Sequence, residues 1–304
     1  SVVMVVGLIL LIAVRGLGHF WPHAVVEAQW QQSPGTSVRL VGEIHDREQV
    51  SAERLIEGGY SLPEGHGEQI TRYLIKTGNR DVTGTDFHSI IAPHLADMHR
   101  PREVLVAERR EWGNFYGYLK AVKEDGEIVA SGDQAWTALQ PRLQRALALH
   151  DEIEHIQKDE IGGVNYELEQ LRLERRGLDL DNALTEARVN DMEQRRKKLK
   201  DRYQGLQDRL VDLHHQIQRD SFTAEVAGGQ NVEVPLAKVV RVYQPNAMGL
   251  GDKIGFYFAK VWEFVSQEPR EANTEGGIFP AIFGTVMMVL IMTVFVTPFG
   301  VIAA

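Results

Sequence analysis

The sequence predicts a membrane protein of the α+β class: two terminal transmembrane helices flank a soluble β-rich module, which a long antiparallel coiled-coil hairpin interrupts. Three observations predict it. Gly277–Ala304 contains no ionisable side chain. A heptad seam occupies the middle of the chain, between residues 136 and 219. Short segments of strand character, set off by Gly and Asn turns, lie on both sides of that seam.

The first element is a transmembrane helix over residues 1–21. Ser1–Val14 is apolar but too short for a bilayer core of ~30 Å, which requires about 20 residues. Extension through Trp21, with Arg15 snorkelling towards headgroups, supplies the length, and Phe20–Trp21–Pro22 gives an aromatic anchor and a stop. A cleaved signal peptide is the rival reading; it lacks a basic n-region and a convincing small-residue cleavage site. Because the chain begins and stops inside apolar runs without an initiator Met, it reads as a fragment of a longer protein.

Residues 22–135 form the first part of the β-rich module. Ser33–Pro34–Gly35 is a turn signal before a strand at Ser37–Ile44, and Gln69–Lys76 is a second strand that runs into the turn-rich loop Thr77–Thr85. Arg102–Glu108 and Phe115–Val122 read as paired strands bracketing Arg109–Asn114, and Glu124–Glu127 as the turn before Ile128–Ala130.

Residues 136–219 change character. Leu199, Tyr203, Leu206, Leu210, Leu213 and Ile217 follow a 4-3-4-3-4 spacing that extends back through Met192 and Val189 if Arg196 takes one seam position. Leu139, Leu143, Ala146, His150 and Ile153 keep the same spacing before Gly162–Gly163 disturbs it. Gly177–Asn182 has the composition of a turn, so the prediction is an antiparallel hairpin with arms of about 60 Å. Residues 220–248 return to the β module through a hairpin of Ser221–Val226 and Asn231–Val234, with a further strand at Val239–Tyr243. Strands before Ser131 and after Asp220 then pair with each other.

Residues 249–276 hold an amphipathic helix, Asp252–Gln267, with Ile254, Phe258, Val261, Trp262 and Val265 on one stripe. Two readings stand, an interfacial membrane helix and a helix packed on the β module. Residues 277–304 form the last element, a transmembrane helix of ample length. Its hydroxyls at Thr285, Thr293 and Thr297 are candidates for a translocation path, with back-bonding to their own helix carbonyls as the alternative.

That last segment also carries a resemblance. Gly276, Gly277, Ile278, Pro280, Ala281, Ile282, Gly284 and Thr285, followed by Pro298, Gly300, Ala303 and Ala304, resemble the opening of the membrane domain of phosphate ABC transporter permeases of the A type. Gly78–Phe87 and Glu108–Leu119 are similar to stretches of the large extracytoplasmic insertion in the long form of that family. The resemblance implies a permease subunit of an ATP-driven inorganic phosphate importer in a bacterial inner membrane, multi-pass, with residues 22–276 extracytoplasmic. It implies as partners a second permease subunit, a cytoplasmic ATPase subunit and a periplasmic phosphate-binding protein. Gly276, Gly277, Pro280, Gly284, Pro298 and Gly300 are then structural motif positions.

An alternative is a membrane-anchored periplasmic adaptor whose hairpin docks a partner. The layout is similar to that of efflux-pump adaptors, a likeness of architecture with no motif behind it. No enzyme is expected: there is no phosphate-binding G-x-x-x-x-G-K-[ST] loop, and no catalytic constellation stands out. The net charge of −9 argues against a nucleic-acid surface, and the absence of Cys excludes disulfides and thiolate metal sites. No cofactor is expected. His150 and His155, at i and i+5, do not share a face, and His88, His94 and His99 are scattered through a loop-like segment. An anion-binding role for Arg80, Arg109 or Arg110 competes with plain ion pairing, and the Arg195–Lys198 run reads as a solvated face.

Overall fold

A computed structural model describes residues 2–33, 35–63, 65, 67–270 and 276–303. Pro34 of the predicted turn, much of the predicted linker before Gly276, the side chain of Arg15 and residue Ala304 of the motif lie outside the described residues. The chain is α+β, with two sheets and a long helical segment, and divides into two units. Unit 1 comprises Ser1–Tyr118, Glu225–Gln230 and Val240–Ala304; unit 2 comprises Leu119–Ala224 and Asn231–Val239.

Helix α1 (Val2–Gly18) ends three residues earlier than predicted, and turn bonds carry the chain through His19, Phe20 and Trp21. At 17 residues it is shorter than the ~20 a bilayer core requires. The first sheet follows. Strand β1 (Val25–Ser33) is additional to the strands predicted: Glu27, Gln29 and Gln31 take one face while Val26, Ala28 and Trp30 take the other. It pairs antiparallel with β2 (Thr36–Ser51), which outlasts the predicted strand by seven residues. The extension is charged, but Glu48 faces Arg72 across the sheet and the two side chains pair. After α2 (Ala52–Glu57) comes β3 (Gln69–Lys76), which has the predicted bounds. Then come α3 (Arg80–Thr83), inside the predicted loop, and β4 (Phe87–Ile91) and β5 (Leu95–His99), two short strands where a loop was predicted. The sheet order is β4-β3-β2-β1-β5. Leu40, Ile75 and Ile90 form one buried cluster beside it, and Val50, Leu55, Ile70 and Ile91 another.

Strands β6 (Val104–Arg109) and β7 (Asn114–Glu124) form the expected antiparallel pair, and β8 (Glu127–Ser131) turns back on β7. Helix α4 (Asp133–His155) opens the hairpin. A π turn at Ile156–Glu160 leads directly into α5 (Ile161–Leu180), so the interruption falls just before Gly162–Gly163 and the helix runs through the two glycines. The return arm, α6 (Glu186–Ile217), has 32 residues, about 48 Å at 1.5 Å each, less than the predicted 60 Å. Leu139, Leu143, Ala146 and Ile153 are buried, as are Met192, Leu210, Leu213 and Ile217, while Arg196 is exposed. Arg195, Arg202 and Arg209, seven residues apart, reach across to Glu174, Glu160 and Glu152 at 3.3, 3.7 and 2.8 Å. These three pairs tie the two arms together along their length, although the partner carboxylates are 14 and 8 residues apart and keep no heptad step of their own.

Strands β9 (Asp220–Glu225) and β10 (Asn231–Pro235) follow, β9 lying beside β7, and β11 (Val239–Tyr243) lies beside β6. Strands from before and after the hairpin are thus neighbours, as predicted. Within unit 2, Arg145 grips Asp220 at 3.0 and 2.5 Å and also reaches Glu124. Unit 1 closes with α7 (Leu250–Ser266) and α8 (Phe279–Ala303). A third core cluster of this unit joins Val25 and Val41 to Val104, Val106 and Tyr116, and Asn246 acts as a short strand for β1, bonding the Val25 N–H and C=O.

Residues 78–87 and 108–118 meet in unit 1. Asn79, in left-handed conformation at φ 56°, receives the Tyr116 N–H on Oδ1 and donates Nδ2 to the Tyr116 carbonyl at 3.0 and 2.9 Å. Arg109, 5% exposed, forks onto Asp81 and spends further donors on the Gly113 and Trp112 carbonyls. Nearly every Arg109 donor is committed internally, which favours ion pairing over anion binding there. Asn79→Ala leaves two buried backbone groups of Tyr116 without partners, each costing about 1–3 kcal/mol. The denaturation midpoint of the protein in detergent should fall accordingly, and an unchanged midpoint would show that the Asn79 pair is dispensable.

A second network in unit 1 gives a pH dependence. Arg39 bridges Glu27 and Glu225 at 3.0 and 2.9 Å and lies over the Tyr118 ring. Burial pushes the Glu27 carboxyl up, but hydrogen bonds from Arg39 and Tyr118 outweigh it and hold the carboxyl below its ordinary range. A folded-state pKa below the unfolded one adds stability above the unfolded value that is lost as pH falls through the folded value. Glu27→Gln should therefore be less stable than wild type near pH 7, and its stability should fall less between pH 7 and pH 3, as urea titrations at both pH values can check.

Candidate functional site: a charged cavity at the root of the apolar helix

Unit 1 contains a cavity of about 210 Å³. His19 and His23 border it after α1, Glu43 and Lys76 from β2 and β3, Glu108 from β6, and Lys260 and Glu263 from α7. Glu43 and Lys76 are directly opposed across the sheet.

The chemistry is concentrated where α7 meets the sheet. Glu263, 6% exposed, is surrounded by three cations: Arg241 at 2.9 Å, Arg270 on the other oxygen, and Lys260 at 3.7 Å. Lys260 also donates to Glu108 at 2.5 Å. Burial pushes the Lys260 ammonium below its ordinary value, and Glu108 offsets part of that. Arg241 spreads its guanidinium over Phe256 at 5.1 Å. Three cations against two buried carboxylates leave one positive charge that the cluster itself does not cancel.

Helix α7 packs on the β module, Phe256 against Tyr243, Lys260 on Glu108 and Glu263 on Arg241, but not through its apolar stripe. Its apolar stripe turns outward, with Phe258 66% and Trp262 73% exposed and Ile254 and Val265 also exposed, while Lys260 and Glu263 turn inward. In the sequence the apolar stripe is the conspicuous feature of this helix; Lys260 and Glu263, at i and i+3 opposite it, are the signal of the inward polar face. Arg241, Glu108 and Arg270 carried none, since Glu108 and Lys260 are 152 residues apart.

The glycine pair has a physical role. Gly276 has φ +99°, and a Cβ there would approach the Arg270 backbone nitrogen at 2.8 Å; a Cβ on Gly277 would overlap the Gln267 carbonyl. The close approach allows the N–H groups of Gly277, Ile278 and Phe279 to bond the carbonyls of Glu268, Phe264 and Gln267 at 3.1, 2.8 and 3.2 Å. The end of α7 is thereby stapled to the start of α8, next to Arg270.

Helix α8 offers 22 residues, Phe279–Gly300, long and apolar enough to cross a membrane by length and composition, with none of them buried. Pro280 sits in its first turn, where proline is tolerated, and Pro298 inside its last turns. Gly284 and Gly300 meet open space. Thr285 and Thr293 donate to Ala281 and Val289 at 2.8 and 2.7 Å, so their hydroxyls are spent on the helix itself. Thr297 lies one turn beyond Thr293 on the same face. None of the three borders the cavity.

Among the described residues no group of His, Asp and Glu is arranged to hold a metal. His88 packs on Trp30, and His94 and His99 bond backbone carbonyls. Comparison of the chain with protein-family models, curated proteins and solved structures finds no match. Neutralising Glu263 by Glu263→Gln leaves buried cations underpaired, a change that costs about 3–5 kcal/mol when a buried pair is broken. Thermal unfolding in detergent should show that loss, whereas Lys76→Gln, on the opposite wall, should cost less than half as much.

Proposed function

We propose that this chain is part of the permease subunit of an ATP-driven inorganic phosphate importer, with α8 as a transmembrane helix and residues 22–276 on the extracytoplasmic side of a bacterial inner membrane. The observation that carries the reading is the Gly276–Gly277 staple: the pair that resembles the permease entry motif is sterically required where the chain leaves α7 and starts a fully exposed apolar helix. Two features support it. An outward row of Ile254, Phe258, Trp262 and Val265 next to such a helix suits the headgroup layer, with α7 as an interfacial helix. The two insertion-like stretches pack against each other through Asn79 and Arg109.

In this reading α1 is the first span, tilted or locally thinning the bilayer to make up its length. The subunit performs no bond chemistry. Its partners are a second permease subunit, an ATPase subunit and a periplasmic phosphate-binding protein, and Thr297, whose hydroxyl has no bond among the described residues, remains as a path candidate. Uptake of radiolabelled phosphate by cells lacking the gene tests it. Uptake should return with the wild-type gene and fall at least tenfold with Gly277→Val at matched membrane abundance. Wild-type uptake by cells lacking the gene under phosphate limitation would overturn the reading.

A further inference from the structure

The hairpin in unit 2 contains a groove that the importer reading does not use. Between α5 and α6 lies a cavity of about 390 Å³ whose floor is Leu168, Leu171, Val189 and Met192. Leu171 and Met192 are the buried seam residues of this half of the hairpin. The cavity above them is lined by residues of α5 and α6, and half-buried Leu168 and Val189 present the apolar surface at its mouth.

The rim is basic. Arg172, Arg175, Arg196 and Lys200 border the groove, against Glu169 and Glu193. Arg172 is paired with Glu169 at 2.8 Å. Arg175, Arg196 and Lys200 have no hydrogen bond or ion pair among the described residues, so the groove carries an excess of two positive charges in a chain of net charge −9. This differs from the neighbouring ladder, where Arg195, Arg202 and Arg209 are each committed to the opposite arm. Arg196 moreover occupies a seam position between Met192 and Leu199, where an apolar residue would serve the hairpin better.

We infer that this groove docks an acidic amphipathic α-helix of a partner protein, whose apolar stripe covers the Leu171–Met192 floor and whose carboxylates meet Arg175, Arg196 and Lys200. A helix is the occupant because the groove runs between two helices with aliphatic side chains at its mouth, the setting in which an amphipathic helix lays down its apolar face. Its charge follows from the three uncommitted cations. The inference is independent of phosphate transport.

The test uses the protein in nanodiscs and two fluorescent 21-residue peptides, each three heptads with Leu at a and d. One has Glu at e and g, the other Lys, so like charges keep each monomeric. Fluorescence anisotropy should show the Glu peptide binding at least tenfold more tightly than the Lys peptide, with affinity falling as salt is raised. Arg175→Glu with Arg196→Glu should reverse the preference. If circular dichroism shows that variant misfolded, Arg196→Gln alone should weaken the Glu peptide about threefold. Equal binding of the two peptides, or none, would overturn the inference. So would hairpin-dependent binding to anionic vesicles that the Glu peptide does not displace, or self-association through this groove seen by sedimentation and abolished by Met192→Glu.

Discussion

The Glu263 carboxylate, nearly excluded from water and held by Arg241, Lys260 and Arg270, is the interaction on which the lower half of unit 1 depends. Burying one carboxylate is tolerable only with charge and hydrogen bonds at hand, and here β11, α7 itself and the segment leading to α8 each supply a cation. One anion therefore fixes three separate pieces of chain. It also explains the orientation of α7, because a helix that must deliver Lys260 and Glu263 inward necessarily presents its opposite stripe of Ile254, Phe258 and Trp262 outward.

That orientation and the glycine staple reinforce each other. The staple brings the start of α8 under the end of α7, so the outward stripe and the apolar helix adjoin within one unit. If α8 crosses a bilayer, as proposed, lipid is the counterpart of this outward stripe as well. The cavity bounded by His19, Lys76, Glu108 and Lys260 sits at the same root. Any movement of α8 is thus linked mechanically to the ion cluster through three backbone hydrogen bonds, without a long-range pathway.

Legibility in the sequence followed the range of the interactions. Strands β3 and β11 could be placed to the residue because alternation and flanking turns are local signals, and the α6 seam because a heptad repeats within the helix itself. Strand β1 is not among the predicted strands: by composition Glu27, Gln29 and Gln31 make the segment polar, and only parity shows them alternating with Val26, Ala28 and Trp30. Strands β4 and β5 are as short as β11 but lack its run of valines: Phe87–Ile91 and Leu95–His99 mix His, Ser and Asp with the apolar residues, and Pro93 lies between them. The site was least legible of all. Gly276 and Gly277 stood out only as a motif, since their steric reason lies in the Gln267 and Arg270 backbone, and the Glu108–Lys260 contact joins residues with no sequence relation.

Helix α8 carries no ionisable side chain from Phe279 to Ala303. A membrane potential does work of about 2.3 kcal/mol per 100 mV on each elementary charge moved across it, and on side chains without charge it does none. Placed in a bilayer, α8 is electrically silent. Voltage could neither drive nor resist its displacement through these side chains, and the force on it would have to be mechanical, delivered through the staple from the charged root outside the hydrocarbon.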